Sequence, residues 1–297
     1  MATTLKPLDW IGEDVSLAEV DTALARLRAQ MAADAPSMRT SVMTHIAWVP
    51  YGWREPARAA LAGMAERHPS RTILLFPEPN ADDNRIDARA EVERWEVPDT
   101  GRGLVTEVVE LTLRGSRAAA PASIVEPLLI SDLPVFLRWR GEPPWDAPEL
   151  EQLLAVTDRL IVDSTEWEEV RGSYERLASL FPSCAASDIA WARTSRWREH
   201  LATMWPGIDD VGTVRVRGTA AQAWLLCGWL RSKLGRNEIA LEHDPAERLE
   251  GVALDGEAVP LPPGDPPAPS DVLSDELDRF TADPVYEAAV LATNPLR

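Results

Sequence analysis

The chain has 297 residues, 45% of them apolar, and a formal net charge of −18. That length suits one large domain or two smaller ones, and that apolar share supports a sizeable core and argues against global disorder. The acidic balance keeps a chain soluble and argues against a surface for nucleic acid or anionic lipid, which needs stripes of Lys and Arg.

Cys184 and Cys227 lie far apart, and neither belongs to a CxxC pair. The stretch Met1–Lys6 lacks the apolar core of a signal peptide, and no long apolar run follows. The expectation is a cytoplasmic protein with reduced thiols, Cys227 being buried on a helix. Twelve tryptophans stand against three tyrosines and four phenylalanines. That is more Trp than one core of this size needs, so some are expected to face a partner.

In chain order, Ser16-Leu17-Ala18-Glu19 fits a capping box that opens a helix with Leu17, Val20, Leu24, Leu27 and Met31 on one stripe. Ser41 to Val49 reads as a strand, and Ala57, Leu61 and Met64 mark a helix. Arg71 to Phe76 is a compact apolar run closed by Pro77, hence a buried strand. A strand–helix–strand unit of this length favours a parallel pair. Residues 87–97 and 104–114 alternate, and read as antiparallel strands joined by Pro98-Asp99-Thr100-Gly101. A helix is expected over Pro121 to Ile130, a turn at Ser131-Asp132, and a strand over Pro134 to Trp139. Leu150, Leu153 and Leu154 belong to a further helix, and Leu160-Ile161-Val162 to a short strand. Thr165-Glu166-Trp167-Glu168 is a second capping-box pattern, continued by Val170, Tyr174 and Leu177.

From Asp188 the pattern reads as helix only. Asp188 is a plausible N-cap, and Ser195 is expected to cap a second helix with Trp197, Leu201 and Met204 on one face. Val214 to Arg217, a helix over Ala220 to Leu234 with Gly235 past its end, and strands at 239–241 and 252–254 compose a βαββ unit. Residues 260–270 are a Pro-rich linker. The tail beyond has an apolar side of Val272, Leu273, Leu277 and Phe280 that docks on the body or on another chain. The expected fold class is α/β, a mixed sheet with flanking helices plus a smaller α+β C-terminal unit. The domains would be an N-terminal α/β domain over 1–205, a small βαββ domain over 206–259, and a linker with a partly helical tail over 260–297.

No dinucleotide fingerprint, phosphate loop, H-E-x-x-H or G-x-S-x-G occurs, and the four histidines are scattered without metal-ligand spacing. The pairs Asp82-Asp83 and Asp209-Asp210 read as solvated turns. The run His68-Pro69-Ser70-Arg71 offers an imidazole, a hydroxyl and a guanidinium, a set that suits a phosphate or carboxylate. The plainer reading is favoured: Pro69 ends a helix, Ser70 bonds locally, Arg71 pairs with an acid. The run also opens a strand, whereas ligands of open α/β sheets gather at strand carboxyl ends. Asp163-Ser164 does lie at a carboxyl end, and serves either a ligand or the start of a helix. Trp139-Arg140 and the series Trp191, Arg193, Trp197, Arg198 set aromatic beside cationic side chains, which suits stacking within a fold or a binding hot spot.

Four blocks then occur in order: His68 to Ile73, Pro127 to Gly141, Asp158 to Ser164, and Ser187 to Arg198. Together they resemble the bacterial glucose-6-phosphate dehydrogenase assembly protein (OpcA) family, over roughly residues 40–255. The resemblance implies a non-catalytic assembly factor or allosteric activator of glucose-6-phosphate dehydrogenase, supporting the oxidative pentose phosphate pathway. The redox control of photosynthetic relatives is not carried over to Cys184 and Cys227. The alternative is a sugar-phosphate- or nucleotide-binding enzyme or sensor. No catalytic residue, metal ligand or cofactor is expected. Residue chemistry nominates His68, Ser70, Arg71, Asp132, Trp139, Arg140, Asp163, Ser164, Trp191, Arg193, Trp197 and Arg198 for ligand or partner contact.

Overall fold

The computed structural model describes residues 7–34, 37–38, 41–62, 69–97, 102–265 and 269–294. The chain divides into two compact units, Met1–Leu160 and Ile161–Arg297. The first holds, in order, β1 (Leu8–Gly12), α1 (Leu17–Asp34), β2 (Ser37–Met38), β3 (Met43–Trp48), α2 (Arg54–Ala62), β4 (Ser70–Glu78), β5 (Ile86–Val97), β6 (Arg102–Arg114), α3 (Pro121–Val125), β7 (Val135–Trp139) and α4 (Pro148–Leu154). Its sheet runs β1-β5-β6-β4-β3-β7, with β2 also paired to β6. The pairs β6–β4, β4–β3 and β3–β7 are parallel, whereas β1–β5 and β5–β6 are antiparallel, so the sheet is mixed, as expected.

The parallel strands are buried on both faces. Ile73, Leu74, Leu75 and Phe76 are wholly enclosed, which is why β4 reads as an unbroken apolar run. The capping box of α1 forms: Ser16 N and Oγ both donate to Glu19 at 2.8 Å, and Glu19 N donates to Ser16 Oγ at 3.3 Å. Register assigns each side chain a face, because neighbours along a strand point to opposite sides. Arg71, Ile73, Leu75, Glu107, Val109 and Leu111 share the face on which Arg28 of α1 meets Glu107. Leu74, Phe76, Val108, Glu110, Thr112 and Arg114 share the other, where Ala57 of α2 packs on Leu74 and Phe76.

The helix expected over Pro121 to Ile130 is shorter. It yields at Glu126 to a 3-10 turn over Glu126–Leu128, and Leu129 is extended. Pro127 lacks the N–H that an α-helix would use there. The strand β1 was not foreseen, since five residues with Asp and Gly give little alternation. The turn Pro98 to Gly101 lies outside the described residues.

At the division, β8 (Arg159–Val162) leads into the second unit and pairs with β9 (Ala185–Asp188). Here α5 (Val170–Leu180), α6 (Ile189–Arg193) and α7 (Ser195–Thr203) precede β10 (Thr213–Gly218), α8 (Ala220–Leu234), β11 (Ala240–Pro245), β12 (Gly251–Leu254) and β13 (Glu257–Ala258). Two helix starts differ from the sequence expectation. The second capping box does not form: Asp163 caps a 3-10 turn over Ser164–Glu166, and α5 begins later, with Glu169 as its cap. Ser195 lies inside α7, whose N-cap is Thr194. Asp188 does cap α6, accepting from Ala190 N at 2.8 Å, but it ends a strand, so the stretch is not helix only.

The strands β11-β10-β12-β13 form a second sheet, with β10 and β11 parallel across α8. A capping box of Thr219 and Gln222 opens α8, and Gly235, at φ 66°, closes it. After the Pro-rich stretch come α9 (Pro269–Leu277) and α10 (Pro284–Leu291). They dock within this unit. Arg231 Nη1 donates to the Ala292 carbonyl at 3.2 Å, and Val272, Leu273 and Leu277 are buried. Phe280, expected on that apolar side, is 59% exposed.

Candidate functional site

In the first unit, the sequence candidates fall into two roles. His68 lies outside the described residues. Ser70 and Arg71 open β4 and are buried. Arg71 donates Nε to Glu107 at 2.8 Å and Nη1 to the Leu128 carbonyl at 2.6 Å, and Arg28 meets the same carboxylate at 2.6 Å. This is a sealed structural pairing with no room for a ligand's anion. Asp132 is exposed in its turn, at φ 64°, a left-handed conformation that Asp tolerates better than most residues. Trp139 ends β7 but turns inward: it is 2% exposed and stacks on Trp48, with centroids 5.1 Å apart. Half-buried Arg140 lies 4.9 Å over the Trp53 ring. The Trp-Arg edge is therefore split, with its aromatic member in the core.

In the second unit, Asp163 and Ser164 are buried at the end of β8. Asp163 caps the 3-10 turn by accepting from Thr165 N at 3.2 Å, also accepts from Thr165 Oγ1 at 2.6 Å, and pairs with Arg193 at 3.1 Å. Ser164 donates Oγ to Asp188 at 2.5 Å, its N–H reaches the same carboxylate at 3.0 Å, and its hydroxyl lies 2.7 Å from Tyr174 Oη. Burial, and then the nearby charge of Asp163, raise the Asp188 carboxyl to about 7. Burial likewise pushes the Tyr174 phenol well up. A hydroxyl beside a high carboxyl hints at nucleophilic chemistry, but each group here is enclosed and holds an element end in place.

Trp191 is 1% exposed and Trp197 5% exposed. Arg198 lies 3.4 Å over the Trp191 ring, and burial lowers its guanidinium to about 10, so it stays charged at neutral pH. Trp191 Nε1 donates to Asp283 at 3.2 Å, and its ring packs against Tyr286 of α10. Trp191 thus anchors the start of α10, while Arg193 and Arg198 bond within their own neighbourhood, to Asp163 and Thr194. Both cysteines are buried, and burial raises the Cys227 thiol to about 11.

Sequence reading missed a polar cleft in the first unit. It lies on the α2 face near the carboxyl ends of β3, β4 and β6, with a volume of about 270 Å³. Glu110 of β6 accepts from Arg58 Nε at 2.6 Å and also pairs with its Nη2. Arg54 Nη2 reaches Glu110 only at 3.5 Å and Thr112 Oγ1 at 3.3 Å. The Arg54 guanidinium sits 4.5 Å from the Phe76 ring centroid and 5.5 Å from that of Tyr51. Arg114 donates to Asp83 at 2.6 Å and to Glu78 at 2.7 Å. Arg89 pairs with Glu91 at 3.0 Å, and Ile11 lies opposite it in register. One signal was legible: Glu110, Thr112 and Arg114 recur at every second residue of a strand that proves buried, so their face had to meet polar partners. Arg54 and Arg58, four apart, supply these from one side of α2.

Among the described residues there is no cluster of three or more His, Cys, Asp or Glu that could hold a metal ion. None of the described helices is long and apolar enough to cross a membrane.

Comparison with known proteins gives two adjoining matches. Residues 62–179 match the family profile described as glucose-6-phosphate dehydrogenase subunit N-terminal domain, and residues 184–261 the one described as its C-terminal domain. The chain is 27% identical over 197 residues to a Nostoc punctiforme protein named as OxPP cycle protein OpcA, covering 62% of this chain and 42% of that one. It is 25% identical over 194 residues to a Synechocystis sp. protein of the same name, covering 61% and 40%. A Synechococcus elongatus protein of that name is 25% identical over 198 residues, covering 62% and 44%. The chain spans less than half the length of these curated relatives.

Proposed function

We infer, from the premise that the chain belongs to the glucose-6-phosphate dehydrogenase assembly protein (OpcA) family, that it is a non-catalytic assembly factor or allosteric activator of that dehydrogenase. The observation that carries this reading is the pair of family matches, which run in order through both compact units. By this role it supports the oxidative pentose phosphate pathway, and its place of work is the cytoplasm.

The physical mechanism is differential binding. An activator must bind the high-affinity state of the enzyme more tightly than the low-affinity one, since equal affinity shifts nothing. A coupling of about 1–3 kcal/mol changes substrate affinity about 5- to 150-fold. The enclosed Trp139, Trp191 and Trp197 are ill placed for this contact, and Trp205, 60% exposed, is the better anchor. Asp132, Arg140 and Arg193 remain accessible enough to join it, whereas Arg198 is held over the Trp191 ring. Burial of both thiols favours control by binding over control by disulfide exchange. We also propose that residues 206–259 act as a domain of their own, a small α+β unit, supported by their separate sheet.

Size-exclusion chromatography of the dehydrogenase with and without the chain tests this reading. Co-elution and a shift of the enzyme to a larger oligomer are expected. Independent elution with an unaltered enzyme peak would refute it.

A further inference from the structure

We propose that the cleft beneath α2 is a binding site for a small hydroxylated phosphate monoester. The site is independent of the dehydrogenase reading and shares no residue with the sequence candidates. Three observations support it.

The first is incomplete pairing. A guanidinium carries five N–H donors in a planar fork. Arg54 spends Nη2 on two long contacts, and Glu110, the carboxylate it reaches, is already gripped by Arg58 at two points. Arg54 Nε is buried and has no hydrogen-bond partner among the described residues. The rest of the guanidinium, on a side chain 26% exposed, lines the cleft, so an entering anion finds donors that the protein leaves weakly used. The Phe76 and Tyr51 rings pack near this guanidinium and limit its motion, so the donors are preorganised.

The second is composition. Arg54, Arg58, Arg89 and Arg114 line one cavity in a chain of net charge −18. They are a quarter to a third exposed, open enough for a solute to reach. Guanidinium forks match the oxygens of a phosphoryl group. The carboxylates of Glu13, Glu78 and Asp87 on the same wall suit the hydroxyls of a polyol. Tyr51, 49% exposed, and Ile11, 67% exposed, offer an apolar rim for a sugar ring.

The third is position. The cleft opens near the carboxyl ends of parallel strands, where open α/β sheets place their ligands. Its volume of about 270 Å³ is at the small end of ligand sites, which limits the occupant to a single small molecule.

Calorimetric titration of the full chain, without the dehydrogenase, tests the site. Glucose 6-phosphate, inorganic phosphate and glucose serve as probes. The expected result is saturable binding of glucose 6-phosphate with Kd of about 1 mM or tighter, weaker binding of inorganic phosphate, and none of glucose. Arg54→Gln should weaken binding about tenfold or more, and Tyr51→Ala severalfold, while Arg215→Gln on the second unit leaves it unchanged. Circular dichroism on each variant reports that the fold is kept. Absence of binding by either phosphate compound would overturn the proposal. So would binding that survives both Arg54→Gln and Tyr51→Ala in folded protein. Equal affinity for inorganic phosphate and glucose 6-phosphate would overturn the assignment of the carboxylates to hydroxyls.

Discussion

Glu107 and Glu110 stand three residues apart on β6, and so on opposite faces of one sheet. Each draws two arginines. Under α1, Glu107 holds Arg71 at 2.7 Å and Arg28 at 2.6 Å, with its own side chain 1% exposed. Under α2, Glu110 holds Arg58 closely but Arg54 only at 3.5 Å, beside an open cleft. The same residue types make a structural clamp on one face and a receptive surface on the other. What separates them is how closely the second arginine is held and whether space adjoins it.

Breaking the closed side should have the largest effect. Glu107→Gln leaves two arginines short of their charge partner, one of them buried, and is expected to cost about 3–5 kcal/mol in chemical denaturation. A loss under about 1 kcal/mol would mean that the clamp is no tighter than a surface pair.

A second closed cluster, around Asp188, sharpens the contrast through pH. Its carboxyl is raised to about 7 in the folded chain, mainly by burial. As pH rises from about 4 to 7 the unfolded chain gives up this proton while the folded chain keeps it, so stability falls across that window. The penalty reaches about 4 kcal/mol above pH 7. In Asp188→Asn, which stays neutral, that part of the slope should vanish. Equal slopes for wild type and variant in urea melts would contradict the assignment.

The packing of α10 against α8 gives a smaller test. A Cβ added at Gly228 would run into the Ala289 carbonyl oxygen. Gly228→Ala should cost about 1–3 kcal/mol and loosen the C-terminal helices. Faster proteolysis within residues 269–294 is the expected readout.

Opening the receptive side further should matter least for stability. Arg54 is partly exposed and poorly paired, so Arg54→Gln is expected to change stability by no more than about 1 kcal/mol. A loss as large as that of Glu107→Gln would make the two faces equivalent and end the contrast.

Local signals carried the regular elements. The Ser16–Glu19 box, the apolar run of β4, the β5–β6 alternation and Gly235 are each written within a few residues. β1 and β9 escaped because strands as short as LDWIG and AASD take their conformation from their neighbours. Asp163 pre-empted the second capping box by capping two residues earlier, a competition that sequence spacing does not rank. The tryptophan excess was legible, but its reason was not. Trp48 stacks on Trp139, and Trp191 packs at a tilt against Tyr286, each distant in sequence, so this aromatic surface is spent inside the units. The α2 cleft was hidden for the same reason. Its wall comes from residues 11–13, 51, 54, 58, 78, 87–89, 112 and 114, which only strand register brings side by side.

We propose that this chain acts by binding glucose-6-phosphate dehydrogenase. The direct measurement is the rate of NADPH formation by the cognate enzyme at subsaturating glucose 6-phosphate, with the chain titrated in. The rate should rise and saturate at a fixed ratio of chain to enzyme, and Trp205→Ala should shift that curve to higher concentration. An unchanged rate at every ratio, with the enzyme's oligomer unaltered, would mean that the chain does not act on the dehydrogenase.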